Sequence, residues 1–335
     1  MTTSPAPGRA GDQRHQGDAT PAAGAEPQLS ARDRRTGTLA GVVAYSLWGV
    51  FPLVFHQLES VDAQEILLHR VLWSLVVVGL ILLVRRDKRW FEHVRARPGA
   101  LPRLVVASLL IATNWLVYIW AVNHDNVVQA ALGYYINPLI TVALGVVVLH
   151  ERLRRLQVVA LVFGAAAVAV LTASYGNVPW IALTLACSFA GYGFLKKSAG
   201  VDAVPALAVE TASLAPVALV WLLVLEANGS AAFLHGSTGR DALLVSLGVV
   251  TAVPLLLFGT AANRIPLSLL GLLQYLTPTL QLLCGVVVLG EPLPPERLAG
   301  FVLVWIALIV LTWDGMGSRR RELALEVSAE GASSS

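Results

Sequence analysis

Residues 134–153 read YYINPLITVALGVVVLHERL, and 140 positions later residues 274–293 read QYLTPTLQLLCGVVVLGEPL. Laying 121–172 over 261–312 without a gap extends the match to 17 identities in 52 positions. Apolar composition alone aligns Val and Leu. It does not align Asn123 with Asn263, Tyr135 with Tyr275, Pro138 with Pro278, Gly145 with Gly285 and Glu151 with Glu291. The chain therefore reads as two copies of one unit.

The unit belongs in lipid. Of the 335 residues 56% are apolar and 13% charged, which is about half the charge share of an average soluble protein. The apolar residues fall in ten runs, approximately 37–57, 65–84, 104–122, 127–149, 156–174, 178–195, 203–225, 242–262, 267–289 and 298–314. Each is roughly the 20 residues a helix needs to cross a hydrocarbon core about 30 Å thick. The expected fold class is an all-α polytopic membrane protein with ten transmembrane helices. The repeat divides them into five-helix units at 37–176 and 177–316, and an odd number of spans turns the second unit upside down relative to the first. The tails at 1–36 and 317–335 read as disordered cytoplasmic segments, without the apolar centre of a secretory signal.

Lys and Arg set the orientation, because positively charged loops stay in the cytoplasm. With the amino terminus inside, 21 of the 24 basic residues lie on the cytoplasmic side, Arg240 and Arg297 lie outside, and Arg70 is left within a span. Both termini are expected in the cytoplasm. The net charge of +3 reports this topology and contact with lipid, so a nucleic-acid partner gains nothing from it. Cys187 and Cys284 sit inside apolar runs; no disulfide framework or metal-ligand spacing is present, and no cofactor is expected.

Inverted repeats are a signature of secondary transporters, in which two similar halves exchange conformations and open a central site to each side in turn. Pro138 and Pro278 fall mid-span, where each frees a backbone carbonyl that lipid cannot satisfy. Tyr134, Tyr135 and Asn137 surround the first, and Gln274, Tyr275 and Thr277 the second. These are candidate solute contacts, the alternative being simple packing kinks. Glu65, His69 and Arg70 lie in EILLHRVLWS. An arginine within a span should point at water, a counter-charge or a substrate, unless it snorkels to the outer surface. Snorkelling is the favoured reading for Glu65. Glu210 stands 140 positions after Arg70 and is expected to carry a coupling proton, with His69 the other candidate, or to form a structural pair. Asn114, Trp115, Tyr118 and Trp48 are candidates for an aromatic, hydrogen-bonding wall around an organic solute; helix-to-helix glue is the alternative. Trp90, Trp180 and Trp313 lie at span ends as interfacial anchors, and Glu151 and Glu291 read as structural.

The stretches GTLAGVVAYSLWGVFPL, EILLHRVLWS, NWLVYIWAVNHDNVVQAALGYYINPLITVALGVVVLHERLRRLQ and GLLQYLTPTLQLLCGVVVLGEPL closely resemble the RarD group of EamA-type permeases, in the drug/metabolite transporter superfamily. The resemblance covers roughly 37–314. It implies a ten-helix inverted-repeat carrier in the bacterial cytoplasmic membrane. It also brings a weak substrate label, since proteins of this group are named as chloramphenicol-resistance permeases. One departure is visible: the family's Ser-Leu-Gly-Tyr is here Ala131, Leu132, Gly133 and Tyr134.

The resulting expectation is a permease, exporting a small organic solute by alternating access, with the bilayer, the solute and a coupling proton as its partners. No Walker lysine motif is present, so ATP drive within this chain is not expected. A membrane-embedded enzyme would want HExxH, GxSxG or paired Asp/His at one depth, and none is found. A noncatalytic scaffold has no use for inverted repeats with polar mid-span breaks.

Overall fold

The computed structural model describes residues 31–149, 153–262, 264–265 and 267–333. Glu151, Asn263 and positions 1–30 of the amino-terminal tail lie outside the described residues. A chain crossing hydrocarbon must satisfy every backbone N–H and C=O within itself, and the helix does so. The described residues form helices and turns, with no strand among them. In chain order the helices are α1 (Ala31–Gly49), α2 (Phe51–His56), α3 (Ala63–Val84), α4 (Trp90–Arg95), α5 (Ala100–Asn123), α6 (Val127–Leu149) and α7 (Arg155–Tyr175). The second half contains α8 (Trp180–Ala199), α9 (Ala203–Ala227), α10 (Thr238–Ala262), α11 (Leu267–Leu273), α12 (Leu276–Leu283) and α13 (Pro295–Ser333). Nine described stretches are long and apolar enough to cross a bilayer, and the apolar part of α8, Trp180–Lys196, is a shorter tenth.

Local chemistry places the ends. Asp62 caps α3 by accepting a 2.8 Å bond from the Gln64 N–H, and the Gln157 side chain accepts from the Arg154 N–H at the start of α7 at 2.9 Å. The first span is not one helix: Pro52 has no N–H to give the Trp48 carbonyl, and the chain turns at Val50 before resuming as α2.

Packing obeys the repeat. The first span (α1–α2) lies against α10 and α12, spans eight and nine, while its repeat mate α8 lies against α5 and α6, spans three and four. Span two (α3) meets spans seven and eight; its mate α9 meets spans two and three. Spans four and nine pair with each other, as do spans five and ten. This is the contact pattern of two inverted five-helix repeats. The outer faces are apolar because they meet lipid, with Leu83 72% exposed, and the polar groups are turned inward.

Two ends differ from expectation. α1 begins at Ala31, inside the stretch expected to be a disordered tail, and α13 continues to Ser333 instead of stopping near 316. The reason is local: 317–333 is rich in Glu, Ala, Leu and Arg, strong helix formers, and the preceding span supplies the helical nucleus that a free segment would have to form at a cost.

Close helix approach depends on small residues. A Cβ added at Gly248 of α10 would lie 2.4 Å from the Trp73 carbonyl oxygen of α3. Gly248→Ala must push α3 and α10 apart and is expected to cost about 1–3 kcal/mol. Gly259→Ala on the same helix meets nothing within 4 Å and is expected to leave stability within about 0.5 kcal/mol. Thermal unfolding of the two purified variants checks the contrast; equal melting points would mean the helices are not seated so closely.

Candidate functional site

Arg70 is the least lipid-compatible group deep in the bundle. It is 5% exposed, too buried for snorkelling. Its Nε donates to the Thr251 hydroxyl of α10 at 3.1 Å, and its guanidinium carbon lies 4.0 Å from the centre of the Trp115 ring and 5.7 Å from those of Phe51 and Phe55. The turn after Gly49 is what brings Phe51 and Phe55 of α2 to this position. The Tyr118 ring meets Phe55 at 5.9 Å and Tyr134 at 5.8 Å. Tyr134 donates to the Asn114 Oδ1 at 3.0 Å, and the Asn114 amide donates to the Leu185 carbonyl and the Ser188 hydroxyl of α8. Arg70, Asn114, Trp115, Tyr118 and Tyr134 therefore form one cage between α2, α3, α5, α6, α8 and α10.

Tyr135 follows Tyr134 in α6 and points elsewhere. Its hydroxyl is 2.7 Å from the Thr279 hydroxyl of α12, and its ring packs edge-on against Phe301 and Trp305 of α13. It lines a cavity of about 520 Å³ whose walls include Tyr275, Thr279, Trp305, Thr312 and Trp313. Tyr135 and Tyr275, the repeat mates, face the same space. Asn137 is half-buried with its Oδ1 unpartnered among the described residues.

The two mid-span prolines behave differently. Pro278 cannot donate to the Gln274 carbonyl, four residues back, and the helix breaks there, between α11 and α12, with the Tyr275 N–H closing a tighter turn onto the Leu272 carbonyl at 3.2 Å. Pro138 sits inside α6, which runs unbroken through Tyr134 and Tyr135. The expectation of a break in each span thus holds for span nine alone. Below the break, α12 binds the bent first span: Thr277 donates to the Tyr45 carbonyl at 2.8 Å and Gln281 to the Trp48 carbonyl at 3.3 Å. Trp48 itself packs against Tyr45 and Phe258. After α12 a π-helical turn, Cys284–Val288, carries the chain round to Glu291.

The buried acids Glu65, Glu210 and Glu291 are each engaged. Glu65, 2% exposed, does not snorkel: its carboxylate accepts backbone N–H bonds from Ala232 and Phe233 of the α9–α10 connection at 2.9–3.0 Å. Two backbone N–H groups, that of Ala232 shared between both carboxylate oxygens, hold it there. His69 accepts from Trp73 Nε1 at 3.3 Å, lies against the Phe233 ring, and has its Nε2 3.8 Å from Glu65. Glu291 accepts from the Val127 and Val128 N–H groups at 2.6 and 2.8 Å, capping α6. Burial pushes its carboxyl above the ordinary carboxylate range, against the two backbone bonds that pull it down.

Glu210 is not a partner of Arg70. It sits 2% exposed, with Oε1 3.1 Å from Lys196 Nζ and Oε2 3.2 Å from the Tyr192 hydroxyl of α8. Lys196, counted in the sequence only as a cytoplasmic loop charge, was the missing partner. Its position one turn beyond Tyr192, four residues on, was the available signal. Glu210→Gln or Lys196→Met alone strands a buried charge and is expected to destabilise by about 3–5 kcal/mol, while the double variant recovers much of it. A thermal-stability cycle of the singles and double checks this, and additive losses would mean the pair is not coupled.

Among the described residues no group of three or more His, Cys, Asp or Glu is placed to hold a metal ion. Comparison with known proteins fits this geometry. The profile of the EamA-like transporter family matches residues 35–173, the first repeat. A Streptomyces exfoliatus protein named RarD is 49% identical over 298 residues, covering 89% of this chain and 95% of that one. A Pseudomonas aeruginosa protein named an uncharacterized transporter is 42% identical over 88% of this chain and 98% of its own. One solved crystal structure shares the fold with a TM-score of 0.51 at 18% identity, over 83% of this chain and 97% of the other. The chain belongs to the EamA-like transporter family, as a RarD-type membrane permease of the drug/metabolite kind.

Proposed function

We propose that the chain is a secondary carrier that exports a small organic solute, a metabolite or a drug such as chloramphenicol, by alternating access, and that it has no catalytic role. The observation that carries this reading is the asymmetry between repeat mates. Span nine is broken at Gln274–Tyr275 beside an open cavity, while span four runs straight through the corresponding Tyr134–Tyr135. Two halves of one inverted unit caught in different conformations are what alternating access needs, because exchange of the two shapes moves the opening to the other side.

In this reading Arg70, Asn114, Trp115, Tyr118 and Tyr134 bind the solute centrally. Tyr135, Asn137, Gln274, Tyr275 and Thr277 line its route around the break, and Trp48 flanks it. His69 and Glu210 are the proton-coupling candidates: His69 Nε2 has no hydrogen bond among the described residues, and a proton on Glu210 would release Lys196. Both termini face the cytoplasm, from the 21-to-2 division of basic residues outside the spans.

Liposomes holding the purified protein test the reading. A solute that raises its melting point in a screen of metabolites and drugs should exchange across the membrane, and cysteines placed at Tyr135 and Tyr275 should react with small water-soluble reagents unless that solute is present. Binding without exchange, together with inert cysteines in an intact protein, would overturn alternating access. Reporter fusions at the carboxy terminus and within 226–240 should report opposite sides; the same side from both would end the inverted topology.

A further inference from the structure

We propose that the Arg70 cage is built to receive an oxyanion, and that the solute of this permease carries a carboxylate or a group of the same charge and shape. The proposal rests on the carrier reading above and names the substrate class of its central site. A guanidinium is charged at every accessible pH, so burying one calls for a negative partner. Among the described residues no carboxylate pairs with Arg70. The buried acids of the spans and their ends are committed elsewhere: Glu65 to the Ala232 and Phe233 N–H groups, Glu210 to Lys196, Glu291 to Val127 and Val128.

The geometry also shows which part of the guanidinium is open. Its Nε is used by Thr251, and the Trp115, Phe51 and Phe55 rings surround it. The two Nη groups make no hydrogen bond to the described residues. They are the parallel donors that receive a carboxylate in a two-pronged contact. Around them the unmatched groups are again donors. The Tyr118 hydroxyl is buried without a partner and interacts electrostatically with Arg70, and the Ser74 hydroxyl, one turn along the same face of α3, is buried and unpartnered as well. Leaving a buried donor unmade is costly. An oxyanion answers the Nη groups and the Tyr118 hydroxyl beside them, with the aromatic walls taking the apolar body of the solute. Aromatic faces ease the charge in part and leave the Nη protons unmet. This narrows the solute class of the carrier reading to acids, and sets aside the neutral drug, chloramphenicol, that the reading named as an example.

The test uses purified full-length protein and matched probes: benzoate with benzamide, phenylacetate with phenylacetamide, indole-3-acetate with indole-3-acetamide, and chloramphenicol. Chloride and inorganic phosphate serve as bare anions. At least one acid should bind and raise the melting point, while its amide and chloramphenicol should not. Arg70→Gln should weaken that acid about 10- to 100-fold, the range of one or two charge-assisted hydrogen bonds. Arg70→Lys keeps the charge without the fork and should bind at an intermediate level. Tyr118→Phe removes a hydroxyl that bonds nothing, so it folds as the parent does and isolates the binding effect should Arg70→Gln fold poorly; a loss of several-fold is expected. The proposal is overturned if no acid binds, if amides or chloramphenicol bind as well as the acids, if binding survives Arg70→Gln or Tyr118→Phe unchanged, or if chloride alone saturates the site at the same affinity. Phosphate is itself an oxyanion, so phosphate binding that Arg70→Gln abolishes supports the site. Liposome exchange separates the two readings: an acid that binds through Arg70 but never crosses would sink the carrier and leave the anion site. A neutral solute exchanged equally well by Arg70→Gln would sink the anion site and leave the carrier.

Discussion

Water does not reach the middle of a bilayer, so every backbone carbonyl that a proline releases there must find a partner in the protein. The architecture around the candidate site follows from that constraint. Pro52 frees the Trp48 carbonyl, and the Gln281 side chain of α12 takes it, while Thr277 and Cys284 approach the Tyr45 and Gly49 carbonyls on the same stretch. The bend of the first span and the position of the ninth are thus one arrangement, held by side-chain bonds between the two repeats. Pro278 frees the Gln274 carbonyl, and there the chain turns instead of continuing, which separates α11 from α12 beside the cavity. A bond of this kind inside a membrane contributes only about 1 kcal/mol. Two packings that differ by a few such bonds are close enough in free energy for a solute to choose between them.

Charge divides the polar interior into groups that are finished and one that is not. Glu65 is finished: two backbone N–H groups of the α9–α10 connection close on its carboxylate and tie that connection to α3. Glu291 is finished in the same way, and fixes the end of span nine to the start of span four, its repeat mate. Glu210 and Lys196 neutralise each other. Arg70 is held at its Nε and flanked by rings, yet carries a full charge with both Nη groups unmet by the described residues. In a medium where an unpaired charge costs several kcal/mol, such a group marks the place where a transported charge would be welcome.

Acyl or phosphoryl chemistry would want a nucleophile and a base in hydrogen-bond contact with an oriented third group. The buried His69 accepts from Trp73 and faces Phe233 and Glu65, with no serine, threonine or cysteine bonded to it among the described residues. What surrounds Arg70 is a guanidinium held at its Nε and flanked by aromatic rings, an arrangement suited to holding a solute.

The sequence alone determined the ten apolar spans, their inversion and the family. Those properties are written in one-dimensional signals: run length against bilayer thickness, the 140-residue offset that aligns Tyr135 with Tyr275 and Pro138 with Pro278, and the GVVVL runs. It also singled out Arg70, Asn114, Trp115, Tyr118 and Tyr134, because polar and aromatic groups in an apolar run are visible as exceptions, and passed over Phe51, Phe55 and Thr251, which meet the guanidinium only through the fold. What it could not supply was which exceptions meet. Arg70 and Glu210 are repeat mates, but an inverted symmetry relates positions without bringing them into contact, and Glu210 closes on Lys196 from a neighbouring helix instead. Glu65 read as a rim residue because its partners are backbone N–H groups 167 and 168 positions away, which no side-chain pattern can reveal. The broken ninth span against the straight fourth was equally out of reach. Both carry the same proline in the same register, and only the packing around each decides whether the helix continues or gives way.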